Sequence, residues 1–360
     1  MLEINIADTE FKEIFSDIKN RYLSTANFPK FIIGTGLSIV MGVPGMGKLA
    51  DELDKNFSSD KNVEYKKYWG ECQSMVRNHG LEAALLTISN TKNDFVEKIR
   101  EITGKFILES DYAVRENILK NSSGFEKLLN YLHKTVSVNK KIIDIMTPNY
   151  DLIIETIADK LNLTTTLGFK GNLFQKFDSE LLRDPYKYYK KSTAILRIFK
   201  PHGSINWINR AGITYQTNDY CYLDKNSNCI EIIAPGSMKF QYGMTHNLLR
   251  EHREIFNSVI TDNESSHAIF IYGYGFNDKQ FDTVFENTSK DVIVLTMDIK
   301  EEVINRAVCN KNWTLFYKNV IGRTHNTTNL SFMVYKGKQY KIDKNLWDLE
   351  EFVELFIGQL

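Results

Sequence analysis

Five short apolar runs constrain this chain more than any other feature. They are KFIIG (30–34), IIDIM (142–146), AILRIF (194–199), HAIFIYG (267–273) and DVIVLTM (291–297). A strand with one wet face alternates apolar with polar residues. These runs do not alternate, so each reads as a strand covered on both faces, the habit of parallel sheets. Segments of helical period lie between them. Asp151 is placed to cap a helix with Ile153, Ile154, Ile157 and Leu161 on one side. Leu248, Leu249, Ile255, Phe256, Val259 and Ile260 make a second stripe. Strand–helix alternation of this kind predicts an α/β fold with a doubly wound parallel sheet.

Two stretches interrupt the pattern. Residues 57–137 read as helices around 64–76, 80–88, 91–109 and 124–136, with no buried strand, and predict a helical insert subdomain. Residues 163–192 are polar and aromatic. The sequence divides into a main domain over 1–300, insert included, and a C-terminal extension over 301–360. That extension holds a hairpin near 329–342 and the apolar helix LWDLEEFVELFIGQL. Phe352, Val353, Leu355 and Phe356 of that helix are candidate anchors for self-assembly or for packing within the chain.

Composition narrows the function classes. The 360 residues carry 45 basic and 45 acidic side chains, so no net charge draws the whole surface to nucleic acid, and direct nucleic-acid binding is not expected. No apolar stretch is long enough for a membrane span, and the acidic N-terminus lacks a signal-peptide core. Cys72, Cys221, Cys229 and Cys309 are scattered, without a CxxC pair, so neither a disulfide scaffold nor a zinc site is expected. These features predict a reduced, cytoplasmic protein that binds no metal.

The residues after each strand carry the chemistry. Ligands of an open parallel sheet bind beyond the carboxyl ends of its strands. There the chain places Gly34-Thr35-Gly36-Leu37-Ser38, then Thr147-Pro148-Asn149-Tyr150-Asp151. Further on come Lys200-Pro201-His202-Gly203-Ser204 and Tyr274-Gly275-Phe276-Asn277-Asp278. Gly34 and Gly36 suit a close approach of backbone to pyrophosphate, although Ile39 stands where a third glycine would complete GxGxxG. Gly42 to Lys48 spells GxxxxGK, but Leu49 replaces the magnesium-binding hydroxyl and the loop starts too far from its strand, so an NTPase is disfavoured. Asn149 has an ordinary reading as a turn residue, and Asn277 and Asp278 as helix caps. His79, His133, His246, His252, His267 and His325 show no metal spacing. The run Tyr186-Lys187-Tyr188-Tyr189-Lys190-Lys191 reads as a solvated segment rather than a base-stacking surface.

Taken together and in this order, the four blocks resemble the sirtuin-like NAD-binding family. GTGLSIVMGVP is similar to its GAGxSxxxGIP signature, and TPNYD to its T-x-N-x-D block. KPHGSINW and IYGYGFND are close to the HGSxxW and GYGFxD blocks of the bacterial branch associated with anti-phage defence. The resemblance implies a Rossmann-like fold. It implies that Gly34, Thr35, Gly36 and Ser38 lie along the NAD phosphates, with Pro44 lining the pocket. Asn149 and Asp151 would face the nicotinamide ribose and carboxamide. His202 would be the general base, and Gly273, Gly275, Asn277 and Asp278 would approach the adenosine half.

The chain departs from the family's protein deacetylases in lacking a four-cysteine zinc ribbon. Gly45-Met46-Gly47-Lys48 also replaces the aromatic and arginine that follow GIP, and Thr147-Pro148 the usual pair before the asparagine. The resemblance therefore implies an NAD glycohydrolase that acts as a gated defence effector. A homo-oligomer and a separate partner, such as a hexameric ATPase of the HerA type, belong to the same implication. The alternatives are a catalytically silent NAD or ADP-ribose sensor subunit, and a deacylase or ADP-ribosyltransferase.

Overall fold

Each of the five apolar runs forms a buried strand. The computed structural model describes residues 1–24, 28–88, 93–135, 142–236, 246–262, 267–286, 288–322 and 331–358. In chain order the strands are β1 (Leu2–Ile4), β2 (Lys30–Ile33), β3 (Ile142–Met146), β4 (Thr164–Thr166), β5 (Phe169–Lys170), β6 (Gln175–Phe177), β7 (Ile195–Phe199) and β8 (Gly203–Arg210). They continue as β9 (Ile213–Gln216), β10 (Ile230–Ile232), β11 (Ile269–Tyr272), β12 (Val292–Ile299), β13 (Trp313–Val320), β14 (Ser331–Tyr335) and β15 (Lys338–Ile342). The main sheet runs β1-β15-β14-β13-β12-β11-β2-β3-β7-β4. From β13 to β4 every pairing is parallel, while β14 is antiparallel to both its neighbours. The fold is the expected α/β type with a large, mostly parallel central sheet.

Successive residues of a strand point to opposite faces, so an unbroken apolar run feeds two cores at once. Phe31, Ile33, Ile143, Ile145, Phe270 and Ile293 join one core, with Phe11, Phe15 and Phe352 from the helices over that face. Ile32, Met146, Ile269, Ile271 and Val292 join the other, with Ile255, Phe256 and Val303. Three of the charged residues inside the runs neutralise one another. Buried Asp144 in β3 accepts from Arg197 Nε of β7 at 2.6 Å and from Lys30 of β2. Burial alone would raise its pKa, but the Arg197 and Lys30 cations hold the carboxyl below its usual range.

The insert is helical, with Val63–His79, Leu81–Leu85, Asn93–Lys120 and Gly124–Thr135. It has a core of its own around Leu53, Phe57, Trp69, Leu85, Phe95 and Ile99. The third helix runs to Lys120, beyond the expected end near 109. Buried Ile118 and the Arg115–Asp111 and Lys120–Glu116 pairs carry it on. Residues 89–92, 136 and 137 of the expected insert, 329 and 330 of the hairpin, and 359 and 360 of the final helix lie outside the described residues.

The sequence did not predict a second sheet. Residues 163–192 supply β4 to β6, and the antiparallel order β10-β8-β9-β6-β5 packs Phe169 against the buried Trp207, 5.2 Å between rings. Strands this short leave no periodic signature. Beyond residue 300 the chain adds β13 and the β14–β15 hairpin to the main sheet. Its last helix, Leu349–Ile357, buries Phe352, Val353 and Phe356 in the core, so these anchors face inward rather than toward a second chain. Phe352 is 0% exposed and meets the rings of Phe15, Phe270 and Phe316. Phe352→Ala should therefore cost about 3–5 kcal/mol, measured by urea denaturation; a loss under about 1 kcal/mol would contradict this packing.

Candidate functional site

The strand order reverses direction between β2 and β11. From β2 the chain steps outward through β3 and β7, then returns to place β11 on the other side of β2. Ligand crevices form at such switch points, outside the carboxyl ends of the strands. A cleft of about 900 Å³, open to solvent, lies at this place. Thr35, Ser38 and Pro44 line it from beyond β2, and Asn149 and Asp151 from beyond β3. His202 follows β7, and Gly275, Asn277 and Asp278 follow β11. Residues far apart in sequence thus share one wall.

Gly34, Gly36 and Gly273 have another place. They do not line the cleft but press on one another. Gly36 N–H donates to the Gly273 carbonyl at 2.9 Å, and Gly34 N–H to that of Tyr272 at 2.8 Å. A Cβ on Gly36 would fall 2.5 Å from Gly273 Cα. Gly273 itself has φ +60°. These glycines let two loops meet backbone to backbone at the switch point.

Asn149 is held rigidly. Its Nδ2 donates to the Gly34 carbonyl and to Ser38 Oγ, both at 2.9 Å, and its N–H donates to Thr147 Oγ1 at 3.1 Å. The side chain is 5% exposed, and Oδ1 has no partner among the described residues. A buried acceptor left open in this way is costly unless a ligand or water donates to it. Ser38 Oγ donates in turn to Asp151 Oδ2 at 2.5 Å. The cap of the following helix falls at Leu152, one residue beyond the Asp151 expected to hold it, and Asp151 Oδ1 still accepts from Ile153 N–H at 3.3 Å. Burial pushes its carboxyl up to about 6, against the opposing pull of Lys200 and Ser38.

His202 Nε2 lies 3.0 Å from Asp278 Oδ2. A carboxylate can only accept, so this contact puts the neutral ring's proton on Nε2 and leaves the lone pair on Nδ1. Asp278 thus orients an imidazole with its side chain, beyond the capping role its sequence position suggests. The preceding residue but one, Phe276, has φ +53°, an unusual conformation outside glycine, and is buried beside Phe285. Lys300 Nζ fixes its carbonyl at 2.7 Å. This bend carries Asp278 to His202.

Several contributors were not among the expected site residues. Lys200 is 0% exposed, and its Nζ donates to the Asp151 carbonyl at 2.5 Å, Ser204 Oγ at 3.0 Å and Glu155 Oε1 at 2.8 Å. Asp111, from the long insert helix, accepts from Leu152 N–H at 2.7 Å and fixes the same loop. Glu82, also from the insert, lines the cleft. Among the described lining residues, carboxylates come from Glu82, Asp151 and Asp278, and none is Lys or Arg. The wall therefore favours positive charge in a bound molecule.

Residues 144–292 match the family model of the SIR2-like domain. Over that stretch the chain is similar to sirtuin-like domains. No curated protein matches it. A SIR2-like domain implies NAD, and the cleft lies where an open parallel sheet takes such a ligand. It has the switch-point position, a buried open acceptor at Asn149 and an oriented imidazole at His202. No group of three metal-ligating side chains occurs among the described residues. His252 is a core residue whose pKa burial and the Lys200 cation push down to about 3. His325 lies outside the described residues. The GxxxxGK look-alike lends Pro44, Gly45 and Met46 to the cleft wall, while its Lys48 points to solvent, 76% exposed, and pairs with Asp51 at 3.6 Å. In the tyrosine–lysine run, Lys187 pairs with Glu180 and Tyr188 donates to Asp178.

Two expectations follow. Gly36→Ala should destabilise the chain by about 1–3 kcal/mol by thrusting a methyl group into the Gly273 backbone; unchanged thermal melting would refute the contact. Asp151 has a folded pKa raised above its unfolded value. It contributes relative stability at low pH, lost as pH rises from about 4 through about 6. Asp151→Asn should therefore gain on the parent chain between pH 5 and pH 8, by on the order of 1 kcal/mol. A constant difference across that range would show that Asp151 ionises normally.

Proposed function

We propose that the chain hydrolyses NAD to nicotinamide and ADP-ribose. The observation that carries this reading is the meeting of Asn149, with its open Oδ1, and the Asp278-oriented His202 in one cleft. Cleavage of the N-glycosidic bond releases a neutral nicotinamide and builds positive charge on the ribose, as in glycosidases. The departing ring already bears the charge, so no strong acid is required. Asn149 Oδ1 accepts from a ribose hydroxyl or from the attacking water. His202 takes the proton from that water or hydroxyl, and Asp278 steadies the imidazolium that results. The carboxylates of Glu82, Asp151 and Asp278 supply a field that favours the growing cation.

The setting we propose is cytoplasmic anti-phage defence, which follows from the resemblance of the four sequence blocks. Unchecked NAD loss would harm the host cell. Activity is therefore gated by self-assembly or by a partner, of which a HerA-type hexameric ATPase is the implied example. A silent NAD or ADP-ribose sensor would need the cleft but not the His202–Asp278 pair.

Purified full-length chain, incubated with NAD alone and with candidate partners, should release nicotinamide, followed by chromatography. His202→Ala and Asn149→Ala should each reduce that release by about 10²-fold or more with circular dichroism unchanged. Asp278→Asn should lose less than His202→Ala. Wild-type turnover in a folded His202→Ala variant would remove the base from the mechanism. A wild-type chain that binds NAD without cleaving it under every condition would favour the sensor.

A further inference from the structure

A second cavity lies behind the catalytic loops. It measures about 590 Å³, is partly open to solvent and shares no lining residue with the first cleft. Arg115 of the long insert helix lines it, with Glu155, Thr156 and Asp159 of the helix after β3, Thr165 of β4 and Asn206 of β8.

Its charges and acceptors are unevenly matched. Arg115 is engaged by Asp111, through Nε at 2.9 Å and Nη2 at 2.8 Å. Glu155 gives Oε1 to Lys200, while its buried Oε2 has no donor among the described residues. Asn206 is 3% exposed; its Nδ2 donates to Asn218 Oδ1 at 2.9 Å, and its Oδ1 likewise has no donor among those residues. Two buried oxygens thus wait for N–H or O–H groups. Asp159 adds a carboxylate at the exposed rim.

We propose that this cavity is a second ligand site, for a small organic diamine whose one ammonium reaches Glu155 Oε2 and Asn206 Oδ1 while the other meets Asp159. Arg115 and Glu155 are already paired, with Asp111 and Lys200, so the charge an occupant meets is that of Asp159, which repels an anion and attracts a cation. An ammonium brings three donors and the needed charge. The occupant lies one ion pair from the catalytic loop, because Glu155 holds Lys200 and Lys200 holds the Asp151 carbonyl. Binding at this site does not depend on the proposed NAD chemistry.

The test is calorimetric titration of the full chain with putrescine in the absence of NAD, with 1,4-butanediol as the uncharged control. Saturable putrescine binding and none by the diol is the expected result. Asn206→Leu should weaken binding by roughly 10-fold or more. Asp159→Asn, at an exposed position that leaves the core intact, should weaken it several-fold. Absence of saturable binding by the folded wild-type chain would overturn the proposal and leave solvent as the only occupant. So would equal binding of the diol, or unchanged affinity in Asp159→Asn. Putrescine binding by a chain that never cleaves NAD would sink the glycohydrolase reading and leave this site standing.

Discussion

The arrangement depends on a contact between two loops at the switch point. Gly34 and Gly36 after β2 lie directly on Gly273 after β11, with hydrogen bonds between backbones and no room for a Cβ. That closeness brings the ends of two strands, which the chain reaches far apart, to one spot. Through Gly34 it also sets Asn149, whose amide donates to the Gly34 carbonyl. A shift of the glycine loop would thus move the carboxamide as well.

Buried charge supports the same region from below. Lys200 has no access to water, yet it meets a carboxylate, a carbonyl and a hydroxyl. An ammonium so placed is tolerable only when its donors are used. Those same bonds tie the β7 end to the Asp151 loop. Asp111 fastens that loop from the insert side, and Tyr150 Oη donates to the Ile233 carbonyl at 2.6 Å. The helical insert is therefore part of the scaffold that positions the loops of the cleft. It also supplies Glu82 to the wall of the cleft.

Much of the frame was legible in the chain. Unalternated runs such as IIDIM and DVIVLTM marked β3 and β12, because burial on both faces removes the polar partner of each apolar residue. The insert helices showed through their apolar spacing. The small sheet did not, since β5 and β6 are too short for any period. Lys30, Asp144 and Arg197 stood in the runs as isolated charges; that they neutralise one another follows from the β2-β3-β7 order.

The sequence by itself determined which segments are buried strands and which polar residues follow them, because local periodicity and turn chemistry respond to burial and backbone shape alone. The tertiary structure decided which of those residues meet. It set Asp278 on His202, turned Gly36 toward Gly273 rather than into the cleft, and left Asn149 Oδ1 open. Such pairings depend on strand order and loop curvature across long stretches of chain, and no local pattern encodes them.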